Sequence, residues 1–170
     1  IVITLSQENY LRHARIEEFR LQNRAGTGLK GVTTKDEDVP QSVHACFSKD
    51  RLLIFTDQGR VYGLRAWETP QASRQARGRH VKNLLEGFRD EENIVAILPI
   101  NKDLLDNHDG IYLMFATKNG RAKRTALSEY VRINRNGKYA IKLVDDDALV
   151  AVRTFNSGDE VVLISANGMA

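Results

Sequence analysis

Leu52-Leu53-Ile54-Phe55-Thr56-Asp57-Gln58-Gly59-Arg60-Val61-Tyr62-Gly63-Leu64-Arg65 decides the fold of this chain. An apolar run rich in strand formers breaks at Thr56-Asp57-Gln58-Gly59, and a second run then mixes small, apolar and basic residues. The pattern predicts a β-hairpin. The same grammar returns from Ile111 to Arg124, with Thr117-Lys118-Asn119-Gly120 at the turn, and again from Val161 to Met169. A weaker copy opens the chain from Ile1 to Tyr10, where Asn9 takes the glycine position. Asparagine tolerates the left-handed backbone better than other residues that carry a side chain. Three acidic triplets, starting at positions 36, 90 and 145, keep step with the turns. Two independent features in phase define a repeat of roughly fifty to sixty residues.

A repeat of short strands sets the architecture. One small antiparallel sheet cannot bury both faces until neighbours stack on it, so the expected fold is all-β, with propeller-like blades of antiparallel strands. The units read as a first blade over residues 1–48, a second over 49–108, a third over 109–155 and part of a fourth over 156–170. Thr69, Pro70 and Gly78 suit the ends of one or two helical turns between them. Asn101 to Gly110 reads as a flexible loop, and the acidic triplets read as solvated turns between blades. An incomplete ring leaves unpaired sheet edges, which invite association through those edges.

With 170 residues, 42% of them apolar, the chain can build a real core. The lone Cys46 forms no internal disulfide and reads as an inert thiol in a reducing compartment. No stretch has the length of a membrane span and no signal peptide opens the chain, so the expected location is cytoplasmic, with no membrane partner. Starting directly in a strand and without Met, the sequence reads as a piece of something longer.

Familiar chemical signatures fail on inspection. Gly26-Thr27-Gly28-Leu29-Lys30-Gly31 fits a dinucleotide glycine pattern literally, but Val32-Thr33-Thr34 cannot open the helix that pattern requires. A phosphate loop fails as well, because Val32 follows Gly31 where Lys is needed. Ala140-Ile141-Lys142 has none of a kinase's partner motifs. His13, His44, His80 and His108 lie far apart without metal-ligand spacing, and no nucleophile sits beside a base in a recognisable signature. The expected site therefore has no catalytic residue and no metal.

What remains is basic. A net charge of +3 conceals strong segregation: Lys118, Arg121, Lys123, Arg124, Arg132, Arg135, Lys138 and Lys142 face the single acid Glu129. Arg60, Arg65, Arg74, Arg77, Arg79 and Lys82 face Glu68 alone. Clusters at equivalent places in successive blades would line cations along one rim, which suits a bent polyanion such as double-stranded DNA. No recognition helix is offered, so contacts would go to phosphates and specificity would rest on deformability. An acidic protein partner for a propeller-like interaction scaffold is the reading from another class.

Over nearly its whole length the sequence resembles the C-terminal DNA-wrapping domain of the gyrase A family, a β-pinwheel related to propellers. The resemblance is carried by Gly59-Arg60-Val61-Tyr62, by Pro70-Gln71-Ala72-Ser73-Arg74-Gln75-Ala76-Arg77-Gly78 running to Asn83-Leu84-Leu85, and by Ala116-Thr117-Lys118-Asn119-Gly120-Arg121-Ala122-Lys123-Arg124-Thr125. The family's signature box falls at Gln22 to Gly28: Gln22, Arg24, Gly26 and Gly28 keep its pattern, Asn23, Ala25 and Thr27 depart from it, and Lys30 replaces one missing cation. The resemblance implies about half of a six-bladed domain that wraps DNA in support of ATP-dependent negative supercoiling by DNA gyrase. It also implies that strand cleavage lies in the remainder of the gyrase A chain, ATP and Mg on other domains or on the gyrase B chain of an A2B2 assembly, and no cofactor here. The equivalent domain of topoisomerase IV, whose box is degraded or absent, is the nearest alternative.

Overall fold

The computed structural model describes residues 1–19, 39–73 and 76–164. Its strands are β1 (Val2–Ser6), β2 (Tyr10–Ala14), β3 (Pro40–Ala45), β4 (Arg51–Thr56), β5 (Arg60–Arg65), β6 (Arg79–His80), β7 (Ile94–Ile100), β8 (Ile111–Thr117), β9 (Ala122–Ala126), β10 (Lys138–Tyr139) and β11 (Leu149–Asn156). They form three antiparallel sheets, ordered β3-β1-β2-β6, β10-β5-β4-β7 and β11-β8-β9.

Each sheet is built on one of the hairpins, and the three turns are closed alike. Ser6, Thr56 and Thr117 accept at their hydroxyls from the amides of Tyr10, Arg60 and Arg121 at 3.0, 3.4 and 3.1 Å. The residue before each of those amides has a left-handed backbone: Asn9, Gly59 and Gly120, with φ of 62°, 75° and 79°. Asn9 does more than replace a glycine. Its Oδ1 accepts from the Ile94 amide at 3.0 Å, which ties the first turn to the strand after the second acidic triplet.

The sheets are not contiguous in sequence. β6 follows the second hairpin yet pairs with β2 of the first sheet, Leu11 opposite Arg79. β10 follows the third hairpin yet pairs with β5 of the second, Val61 opposite Lys138. The second and third units therefore each lend a two-residue outer strand to the sheet before it. In the third sheet no strand from the described residues pairs with the outer side of β9.

The second sheet is buried on both faces, which explains the unbroken apolar run in β4. Leu52, Ile54, Tyr62 and Leu64 pack with Ile3, Leu5 and Leu11 of the first sheet. Leu53, Phe55 and Val61 pack with Leu113, Phe115, Leu149 and Val152 of the third. Phe55 meets Phe115 edge to face at a 5.6 Å centroid distance and Tyr130 at 6.1 Å. Full burial of side chains of this size stabilises by about 1.5–3 kcal/mol each. β8, in contrast, alternates buried and half-buried residues, because only one of its faces meets a neighbouring sheet.

Three local expectations change. The stretch after Pro70 is not helical among its described residues; Gln71 bridges to His13, and the helical turn comes earlier, over Ala66–Glu68, where the Glu68 carboxylate accepts from the Arg65 amide at 2.7 Å. Asn101 to Gly110 is not wholly loop. Asn101 caps the short helix α1 (Lys102–Asp106) by accepting from the Leu104 amide at 2.8 Å. The second acidic triplet is solvated only at Asp90 and Glu91, because Glu92 is 1% exposed. The first triplet and the turn of the last expected hairpin lie outside the described residues, and Val161 to Ile164 form no strand.

Candidate nucleic-acid interface

The borrowed outer strands position the cations. Gly78 and Gly137 precede them with φ of 87° and 72°, and each lies so close to the neighbouring strand that a Cβ would come 2.5 Å from the Leu11 carbonyl oxygen or 2.8 Å from that of Val61. Only glycine allows that approach, and it sets the next residue in the ladder. Leu11 and Val61 hold the same place relative to their turns, so Arg79 and Lys138 occupy corresponding positions on successive sheets. Arg79 is exposed. Lys138 is half-buried, with its Nζ donating to the Glu129 carbonyl and lying 5.1 Å from the centre of the Tyr130 ring.

The cations beside these strands are held by their surroundings. Arg77 covers the Tyr10 ring at 3.9 Å and forms an ion pair with Glu8. Arg135 lies 3.5 Å from Glu86, both largely exposed, a geometry worth about 0–1 kcal/mol. On the third sheet Lys118, Arg121, Lys123 and Arg124 are all exposed, at the turn and on the open-edged strand β9. Lys123 Nζ donates to the Ala140 carbonyl at 2.9 Å, and Arg124 lies 4.9 Å from the Tyr112 ring centre, so the two leave opposite faces of β9.

Two expected members of the rim are elsewhere. Arg60 is 8% exposed, because its guanidinium is consumed inside the protein: Nη1 donates to the Gly87 carbonyl at 2.8 Å and Nη2 to the Asn136 carbonyl at 2.7 Å. It also lies 3.5 Å from the Glu92 carboxylate, so it cannot reach a phosphate. Arg65 is exposed but sits opposite Arg51, at the hairpin end away from the turn, about 17 Å along the strand from Arg60. Gln22, Arg24, Gly26, Gly28, Lys30 and Arg74 lie outside the described residues.

Glu92 is the residue whose role the sequence concealed. Its carboxylate accepts from the Tyr62 hydroxyl at 2.8 Å, the Arg89 amide at 2.9 Å and the Thr56 hydroxyl at 3.3 Å. Burial, reinforced by the hydrogen bond to Glu92, pushes the Tyr62 phenol far above its ordinary range. A phenol whose proton is held more tightly in the folded state contributes stability below the unfolded pKa of about 10, and that contribution falls as pH rises above it. Chemical denaturation at pH 9 and pH 11 is expected to show lower stability at pH 11 for the native chain. Tyr62→Phe is expected to shrink that difference.

Among the described residues no three His, Cys, Asp or Glu side chains gather as a metal site. Nor is any helix among them long and apolar enough to cross a membrane.

Stacked antiparallel sheets that exchange outer strands, with cations on the exchanged strands, define a propeller-type repeat domain. The chain belongs to the DNA gyrase C-terminal domain family, a β-propeller family whose model matches residues 1–39, 50–101 and 112–156. The DNA gyrase A protein of Staphylococcus aureus strain MRSA252 is 44% identical over 167 residues, and that of Staphylococcus epidermidis strain ATCC 12228 is 43% identical over 164. Those alignments cover 98% and 96% of this chain and 18% of each relative. Solved structures share the fold. The C-terminal domain of DNA topoisomerase IV superposes with a TM-score of 0.71 at 24% identity, over 92% of this chain and 46% of that one. The DNA gyrase A C-terminal domain does so at 0.65 and 24%, over 92% and 48%.

Proposed function

We propose that this chain holds and bends duplex DNA as the wrapping part of a gyrase A protein, along a track of cations that its exchanged strands carry from blade to blade. The observation that carries the reading is the equivalence of Arg79 and Lys138: each sits on a strand lent by the following unit, at the same place on successive sheets. A stack of such sheets repeats charge at the blade spacing, which suits a curved phosphate backbone and gives no base readout. Arg24 and Lys30 of the family box, which lie outside the described residues, would add cations to those of the track. Catalysis would reside elsewhere: strand cleavage in the rest of the gyrase A chain and ATP hydrolysis in gyrase B, with this piece presenting the segment to be passed.

Each neutralised phosphate releases condensed counterions, so log affinity falls against log salt with a slope of roughly −0.9 per contact. A salt titration of binding to a mixed-sequence duplex is expected to give a steep slope, and Arg79→Ala with Lys138→Ala should flatten it by about 2. Arg65→Ala should leave it within error. A flat native slope would contradict phosphate contacts as the driving force.

A further inference from the structure

We propose that Arg60 and Arg12 are positioning residues, each gripping the chain segment that delivers the next unit's strand, and that their grip sets the angle between blades and hence the path of bound DNA. This rests on the DNA-wrapping reading above. On the second sheet Arg60 joins three segments: its own strand β5, the Gly87 carbonyl on the way to β7, and the Asn136 carbonyl two residues before Lys138. On the first sheet Arg12 donates to the Ser73 carbonyl at 2.9 Å and to the Ala76 carbonyl, which precedes Arg77 and Arg79.

An aromatic residue accompanies each arginine, in swapped order. β2 reads Tyr10-Leu11-Arg12 and β5 reads Arg60-Val61-Tyr62, so in both strands the arginine and tyrosine lie two apart and share a face. Arg60 lies 4.9 Å from the Tyr62 ring centre, while the Tyr10 ring carries Arg77 from the arriving segment. The two blades thus hold the arriving segment with the same pair of residue types in reversed order, so the grip does not depend on one residue at one place. A planar guanidinium suits this role because its fork bonds two carbonyls in fixed directions, which a lysine ammonium does not. Glu92 supplies the counter-charge that lets Arg60 do so while buried.

The test uses the 170-residue chain carrying Arg60→Met with Glu92→Gln, which removes both charges together, and a second variant, Arg60→Lys, which keeps a cation beside Glu92. Hydrogen exchange reads the grip directly. The amides of Ala140 and Ile141, which donate to the Gly59 carbonyl, are expected to exchange at least tenfold faster in both variants. The Lys118 amide, bonded to Ala148 in the third sheet, should be unchanged. Unaltered protection at Ala140 and Ile141 overturns the proposal. Wrapping reads the consequence: the linking-number change per bound chain is expected to fall at least twofold, with affinity for a short linear duplex within twofold of native. A full linking-number change in either variant overturns the proposal, as does a parallel loss of short-duplex affinity, which would mean that the grip only presents Lys138 to a phosphate and does not set the angle between blades. A native chain that binds duplex without any linking-number change sinks the wrapping reading instead, and the exchange rates then decide the grip on their own.

Discussion

Arg60→Met alone is expected to lower the melting temperature by about 6–20 °C. Removing the arginine leaves Glu92, 1% exposed, with a carboxylate hydrogen-bonded only to neutral donors and with the exposed, solvent-screened Arg89 guanidinium as its other cationic neighbour. Stripping one partner from a buried pair costs about 3–5 kcal/mol, because the remaining charge is uncompensated, and each kcal/mol moves the transition by about 2–4 °C in a chain of this size. The loss should be largely recovered when Glu92→Gln is added, since a neutral amide can keep its oxygen toward the Tyr62 hydroxyl and the Arg89 amide and turn its NH2 toward the Thr56 hydroxyl, which can accept. Thermal melts of the native, single and double variants give the answer. A single variant within 2 °C of native would mean that water or a rearranged neighbour neutralises Glu92, and the buried cluster would lose its central role.

The second large effect is at Gly59. Gly59 and Gly120 occupy the same turn position with nearly the same φ, 75° and 79°, so Ala at either one meets the left-handed penalty of about 1–2 kcal/mol. They differ in what lies outside the turn. The carbonyl of Gly59 accepts from the amides of Ala140 and Ile141, and a Cβ there would be driven into the Ile141 carbonyl oxygen, whereas Gly120 has nothing within 4 Å. Gly59→Ala must therefore also displace the segment carrying β10, and is expected to cost at least about 2 kcal/mol more than Gly120→Ala, on the scale of overpacking a close-packed site. Denaturant titration of the two variants measures the gap. Equal losses would show that the second and third units are not locked together at this turn.

These effects mark where the sequence could and could not be read. Turns were legible because their chemistry is local: Thr56 to Gly59 and Thr117 to Gly120 spell out hydroxyl cap and left-handed residue, and Asn9 shows the same backbone as the glycines. The double-sided burial of β4 was legible as an apolar run without alternation. Strand exchange was not, because Arg79–His80 and Lys138–Tyr139 are too short to show any period, and their partners lie more than sixty residues away in sequence.

The site was legible in part for the same reason. A basic residue reads as surface unless something shows a buried acid waiting for it, and Glu92 is hidden in a triplet whose other members are exposed. Arg60 therefore reads as a member of the rim when it belongs inside. A signal did exist in the alternation of Tyr10 with Arg12 and of Arg60 with Tyr62, at corresponding places after two turns. An arginine and an aromatic on one face of a strand bordered by another unit point inward as readily as outward.

If like modules carry their cations into one chiral path for a duplex, the topology of bound DNA must record it. Relaxing a closed plasmid with a topoisomerase in the presence of increasing amounts of this chain tests that path most directly. The expected result is a linking-number shift in one direction that grows with the amount bound and is largely lost in the Arg79→Ala, Lys138→Ala variant. A linking number unchanged while the plasmid is demonstrably saturated with protein would contradict it.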